Sequence, residues 1–304
     1  MAVTNHPDNS ARFGLLNGAG AFVLWGICPL YFALLSHVTP IEILIHRILW
    51  SVLLLLGVIV LQGKLRETLA EFTRPRRLRT LVLSSLLVST NWFLFIQAVG
   101  SGRTVEASFG YFLNPVLTVA LGILVLKESL NRWQIACLAF ATSGVAYQGI
   151  MLGRIPWISL GLATSFGFYG LVRKRLEIGS IPGLFVETAV LSVPALLSGG
   201  WLHAHGRLAF AKVNLQTDLL LLAAGLVTTV PLVMFAVGAR RIPLTWIGLL
   251  QFIGPTLQLL VALLFLDEHL TTTKLVSFSL VWIGLAVLVF GGVRGRLRRH
   301  ARAP

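Results

Sequence analysis

Ionisable side chains inside long apolar stretches are the residues of this sequence that could do chemistry. Arg47 and Glu187 each interrupt such a stretch, and they stand 140 positions apart with opposite charges. An ionisable group costs free energy inside a membrane, so it usually marks a solute path, a proton site or an ion pair. The two residues therefore predict either an ion pair or two sides of a substrate site.

A second set of polar residues surrounds two prolines within apolar stretches. Proline lacks an N–H and its ring pushes against the carbonyl four residues earlier. Pro115 and Pro255 therefore predict helix kinks that free the carbonyls of Tyr111 and Gln251, although packing alone could explain either kink. We expect the substrate between Asn114 and Gln251. The complete set of candidates for substrate binding or coupling is Arg47, Asn91, Trp92, Glu106, Tyr111, Asn114, Glu187, Gln251 and Gln258.

The sequence lacks the motifs of the common enzyme classes. It has no G-x-x-x-x-G-K-[ST] loop for ATP, no H-E-x-x-H, no cysteine or histidine metal spacing and no G-x-S-x-G. We therefore expect no catalytic residues, no metal and no cofactor, and an intramembrane enzyme is disfavoured.

The elements that must position the polar residues are membrane-spanning helices. Of the 304 residues, 56% are hydrophobic and 12% are charged, against about 25% charged in soluble proteins. A span needs about 20 apolar residues, and backbone in lipid must satisfy its own hydrogen bonds, which favours helices. The predicted spans are 14–36, 42–62, 76–99, 105–127, 131–150, 155–174, 181–201, 218–239, 245–267 and 274–292.

The basic residues indicate the orientation of these spans. The net charge is +14, and most lysines and arginines fall on one side of the membrane when the N-terminus is placed inside. Because cytoplasmic loops carry this excess, both termini are predicted to be cytoplasmic. The positive charge is therefore explained by the cytoplasmic position of the basic loops, and we expect no nucleic acid partner. Cys28 and Cys137 are predicted to be free thiols at different depths.

The chain repeats itself at an offset of 140 residues. Residues 105–130 align without a gap on residues 245–270, including the two prolines and the pair Glu128 and Glu268, each predicted to cap the helix that follows it. Each copy contains five spans, so the second copy enters the membrane from the opposite face, as in many transporters. The predicted organisation is a tail at 1–13, repeats at 14–150 and 155–292, and a basic tail at 293–304.

Three stretches carry a family resemblance: EILIHRILWS at 42–51, the segment 91–130 and the segment 249–270. With them, nearly the whole chain resembles the RarD branch of the EamA drug/metabolite transporter family. The resemblance implies an all-α membrane protein of ten transmembrane helices in two inverted five-helix repeats, with a central cavity. It also implies alternating access in a bacterial inner membrane. The motif members are Asn91, Trp92, Glu106, Tyr111, Asn114 and Pro115.

These observations favour a secondary-active permease or exporter for a small polar or amphipathic metabolite or drug. Amides and both charge signs among the candidates suit an amino-acid-like or zwitterionic solute. We expect the carrier to be proton-linked or driven by another gradient, with Glu106 and Glu187 as the candidate carboxylates for proton coupling. The lipid bilayer is the other expected partner, and a homodimer is left open. The alternative is a membrane scaffold or lipid-handling protein that transports nothing.

Overall fold

The described part of the chain is built from helices joined by short connections. The computed structural model describes residues 7–100, 104–153, 155–265 and 271–300, and these residues contain no strand. A short 3-10 turn, Ala70–Thr73, follows α3. The helices are α1 Pro7–Leu34, α2 Pro40–Leu61, α3 Leu65–Leu69, α4 Pro75–Gly100, α5 Thr104–Leu126, α6 Arg132–Leu152, α7 Trp157–Arg175, α8 Ser180–Ala204, α9 Leu215–Arg241, α10 Leu244–Leu250, α11 Ile253–Phe265 and α12 Thr272–His300.

Eight helical segments of the described chain are long and apolar enough to cross a membrane. They lie in α1, α2, α4, α5, α8, α9, α12 and the combined stretch of α10 and α11. The two other predicted spans are also helices, α6 with 21 residues and α7 with 19, but they are not among the eight. The protein is therefore a multi-pass membrane protein.

Both ends of the bundle extend beyond the predicted spans. α1 begins at Pro7 and α12 continues to His300, so the helices include residues predicted to be tails. The C-terminal tail contains leucine and several arginines. Both are good helix formers, so α12 has no local reason to end where the apolar residues do.

The packing brings distant parts of the chain together. α1 packs on α9 and α11, α2 on α8 and α9, α4 on α7 and α8, α5 on α7 and α10, and α6 on α12. Small residues permit the closest approaches. A Cβ placed on Gly225 of α9 would lie 2.5 Å from the Cβ of Trp50 in α2, and one on Gly248 of α10 would lie 3.0 Å from the Pro115 carbonyl in α5.

The two repeated prolines have different effects on their helices. Helix α5 is continuous through Pro115, whereas α10 ends at Leu250 and α11 begins at Ile253. The carbonyl of Gln251 accepts a hydrogen bond from Gly254 N at 3.1 Å. The prediction that this carbonyl would be free is therefore wrong, because a tighter turn before the proline satisfies it.

Glu128 caps a helix, but not the one predicted. Its carboxylate accepts hydrogen bonds from Leu244 N at 2.7 Å and Thr245 N at 2.8 Å, at the start of α10. The following helix, α6, is capped instead by Asn131, which occupies its N-cap position. The prediction for Glu128 is corrected accordingly, and Glu268 lies outside the described residues.

Candidate functional site

Arg47 points from α2 into the interior of the bundle. Its Nε donates a hydrogen bond to Thr228 Oγ1 in α9 at 2.9 Å. Its guanidinium carbon lies 4.9 Å from the ring centroid of Trp92 in α4 and 5.6 Å from that of Phe32 in α1. Cys28 in α1, Tyr111 in α5 and Tyr31 in α1 are titratable side chains close enough to interact with its charge. We call five of these residues the Arg47 cluster: Phe32, Arg47, Trp92, Tyr111 and Thr228.

The Arg47 cluster is incompletely covered. Thr228 is buried, whereas Arg47 and the three aromatic residues keep part of their surface accessible. The neighbours of Arg47 come from four other helices, so helices surround its side chain on several sides. A guanidinium has five N–H donors. Within the described residues no carboxylate lies within ion-pair distance of Arg47.

Glu187 lies at the centre of a second, closed network. Arg173 Nη1 lies 3.1 Å from Glu187 Oε1, and Ser84 donates a hydrogen bond to the same oxygen at 2.6 Å. Tyr169 Oη lies 3.4 Å from Glu187 Oε2, and Arg173 Nη2 donates to the Ser180 carbonyl at 3.2 Å. All five residues are buried. We call this set, Ser84, Tyr169, Arg173, Ser180 and Glu187, the Glu187 network.

The predicted ion pair between Arg47 and Glu187 is therefore wrong. Glu187 is neutralised by Arg173, the first residue of the basic run at the end of α7. The available signal was the short connection at 176–179, which keeps the end of α7 close to the start of α8. Arg173 and Glu187 lie on either side of it and can meet.

Five aromatic residues pack together on α1, α7 and α9. Along α1 they lie on the N-terminal side of Phe32, and Tyr169 links them to Glu187. Neighbouring ring centroids are separated by 5.3 Å to 6.1 Å. The aromatic cluster consists of Phe22, Trp25, Phe166, Tyr169 and Phe235. On this side of the Arg47 cluster, towards the N-terminus of α1, the packed rings occupy the interior of the bundle with apolar surface.

Two predicted site residues connect helices. Asn91 is buried, and its Nδ2 donates to the Leu162 carbonyl at 2.8 Å and to Ser165 Oγ at 3.2 Å, joining α4 to α7. Gln258 Nε2 donates to the Trp25 carbonyl at 3.2 Å. Pro29 lacks the N–H that would otherwise serve this carbonyl, so Gln258 satisfies an acceptor that the proline leaves unpaired.

Thr118 lies between Asn114 and Gln251, the two residues between which the substrate was predicted. Its Oγ1 lies 3.5 Å from Asn114 Oδ1 and 3.3 Å from Gln251 Oε1. Thr118 and Gln251 are buried, and Asn114 is half-buried. The three side chains thus connect α5 with the turn between α10 and α11, and a substrate between Asn114 and Gln251 stays a prediction.

The remaining candidates lie along α5. Tyr111 is half-buried, with its ring centroid 5.9 Å from that of Phe95. Glu106 stands in the first turn of α5, but its side chain lies outside the described part of the structure. Sequence reasoning missed Phe32 and Thr228, because a phenylalanine and a threonine within apolar stretches carry no signal beyond helical periodicity.

Comparisons with known proteins agree with this architecture. A family model described as the EamA-like transporter family matches residues 12–148. Protein RarD of Streptomyces exfoliatus is 42% identical over 298 residues, which cover 97% of this chain and 94% of that protein. A protein of Vibrio cholerae named as an uncharacterized transporter is 38% identical over 298 residues, covering 97% and 99% respectively. One solved structure shares the fold with a TM-score of 0.68 and 18% identity, over 91% of this chain and 97% of that one.

Proposed function

The chain belongs to the RarD branch of the EamA-like transporter family and is a membrane transporter, and we propose that it is a secondary-active carrier for a small polar or amphipathic solute. The observation that carries the proposal is the position of Arg47. Its charged group is contacted from several helices inside the bundle, and the residue still keeps accessible surface. A charge retained inside a membrane bundle usually serves a solute path.

The proposed architecture is ten spans in two inverted repeats, at 14–150 and 155–292. The packing of the helices supports it. The 140-residue offset relates α1 to α7, α2 to α8, α9 to α4 and α11 to α5. The contacts of α1 with α9, of α1 with α11 and of α2 with α9 therefore correspond to the contacts of α7 with α4, of α7 with α5 and of α8 with α4. Each pair and its counterpart are in contact. The contacts of α2 with α8, α5 with α10 and α6 with α12 join each helix to its own counterpart.

Alternating access is supported by a difference between two related positions. Arg47 and Glu187 correspond under the offset, yet Arg47 is partly exposed and Glu187 is sealed within its network. An inverted-repeat carrier in one of its end states has one half open and the related half closed. We assign the Glu187 network and the aromatic cluster to the closed half. With both termini cytoplasmic in a bacterial inner membrane, the closed half is the cytoplasmic one.

Protons remain the proposed coupling ion, with a changed candidate residue. The pairing of Glu187 with Arg173 leaves Glu106 as the coupling carboxylate that we propose. A homodimer stays a prediction, because no partner chain bears on it.

Transport is tested by reconstitution of the full-length protein in liposomes. The liposomes are loaded with a mixed metabolite pool, and solute movement is followed with and without a pH gradient. The Arg47→Gln variant is compared with Arg66→Gln, which removes the same charge from the exposed surface of α3. We expect movement above that of empty liposomes, lost in the first variant and kept in the second. Solute movement equal to that of empty liposomes under every condition would refute the carrier function.

A further inference from the structure

The buried and half-buried carboxylates of the described residues are already engaged. Glu187 pairs with Arg173, and Glu128 caps α10. Glu42 is buried in α2, where its carboxylate accepts hydrogen bonds at 2.8 Å and 3.0 Å from Ala209 N and at 2.9 Å from Phe210 N. Arg47 thus contributes a positive charge that no described carboxylate balances.

From this imbalance we propose that the Arg47 cluster binds the carboxylate of an aromatic organic anion, an inference that rests on the proposed transport function. Thr228 Oγ1 accepts from the Nε of Arg47 and so fixes one edge of the guanidinium. The two terminal nitrogens remain as a planar fork, whose paired donors match the two oxygens of a carboxylate. The anion binds end-on to this fork.

The aromatic residues around Arg47 define the rest of the solute. Trp92 and Phe32 lie within cation–π distance of the guanidinium, and Tyr111 adds a third half-buried ring. These rings offer flat apolar surface beside the charged fork, which an aromatic group can stack on. The described part of the cluster provides no carboxylate for an ammonium group. The fork and the rings together favour an aromatic carboxylate as the solute class.

The test uses full-length protein in nanodiscs of phosphatidylcholine, with ligand-induced thermal stabilisation as the readout. Matched probes differ only in charge or ring: benzoate and benzamide, indole-3-acetate and indole-3-acetamide, and hexanoate as the non-aromatic acid. Hydrogen bonds to charged groups imply a preference for each acid over its amide of about 10-fold or more in affinity. We expect both aromatic acids to bind more tightly than hexanoate.

Variants then locate the preference at Arg47. Arg47→Gln should abolish the preference for acids, and Arg47→Lys should keep part of it, because lysine retains the charge and loses the planar fork. Arg66→Gln, the surface control, should leave it unchanged. The inference is overturned if amides bind as well as acids, if no probe binds, or if the preference survives in Arg47→Gln.

The source of the anion and the carrier function are tested by two more measurements. Adding phosphatidylglycerol to the nanodiscs shows whether a lipid headgroup is the anion; loss of benzoate binding in its presence would assign Arg47 to lipid and overturn the solute class. Liposome transport is measured on the same preparation. Anion binding without any transport would refute the carrier function, whereas transport without preference for acids would refute only the solute class.

Discussion

Replacement of Glu187 by glutamine should destabilise the protein strongly. The substitution keeps the size of the side chain and the hydrogen bond from Ser84, but leaves the buried Arg173 without its counter-charge. Both side chains are almost inaccessible, at 0% exposed for Arg173 and 1% for Glu187. Water therefore cannot replace the lost carboxylate, and the uncompensated charge must be accommodated inside the bundle.

The size of the effect follows from the geometry. Unit charges 3.1 Å apart attract by about 5 kcal/mol at an effective dielectric constant of about 20. Desolvation of both groups offsets much of this in the intact pair, but removing one partner of a buried pair costs about 3–5 kcal/mol. We expect Glu187→Gln and Arg173→Gln each to lose about that much free energy of unfolding. The double variant Arg173→Met with Glu187→Leu should recover most of it, because no charge is left buried.

The measurement is the free energy of unfolding in mixed micelles of SDS and a mild detergent. Glu177→Gln is the matched control, since Glu177 is exposed in the connection between α7 and α8. If Glu187 instead served as a coupling carboxylate without a structural role, Glu187→Gln would abolish the response to a pH gradient and leave stability near that of the wild type. A loss below about 0.5 kcal/mol, the range of ordinary surface substitutions, would refute the structural role of the pair.

Three further outcomes are expected. Glu128→Ala should lower the free energy of unfolding by about 1–2 kcal/mol, the value of a helix cap, and should speed maleimide labelling of a cysteine placed at Thr245; unchanged stability and labelling would contradict the cap. Trp92→Ala should raise the KM for the transported solute by up to about 10-fold, from the loss of aromatic stacking worth up to about 1.5 kcal/mol, and Trp92→Phe should raise it less; equal KM values in all three proteins would exclude a contribution from the ring. Glu106→Gln should abolish solute accumulation driven by a pH gradient while solute exchange without a gradient continues; accumulation at the wild-type rate would show that Glu106 does not couple transport to protons.

The helical spans and the family could be predicted from the sequence because both depend on local pattern. Long apolar stretches must satisfy their backbone hydrogen bonds within themselves, so they form helices whatever their neighbours are. Three motif stretches indicated the RarD branch, and full-length relatives confirm it. Arg47 could be singled out for the same reason, since a charge within an apolar stretch is visible in the sequence alone.

The partners of the polar residues could not be predicted from the sequence. Glu128 caps a helix that begins 116 residues later, at Leu244, and nothing near Glu128 in the chain indicates that choice. The charges of Arg47 and Glu187 suggested a pair, whereas the short connection between α7 and α8 placed Arg173 beside Glu187.

The sequence by itself determined the class of protein, the helices and which residues are costly to bury. Only the tertiary structure decided which of these residues form hydrogen bonds or ion pairs with one another and which remain partly accessible. Hydrogen bonds and ion pairs act over a few ångströms, so their partners are set by how the helices pack and not by distance along the chain. That packing joined Asn114 to Gln251 through Thr118 and left Arg47 partly accessible among its aromatic neighbours.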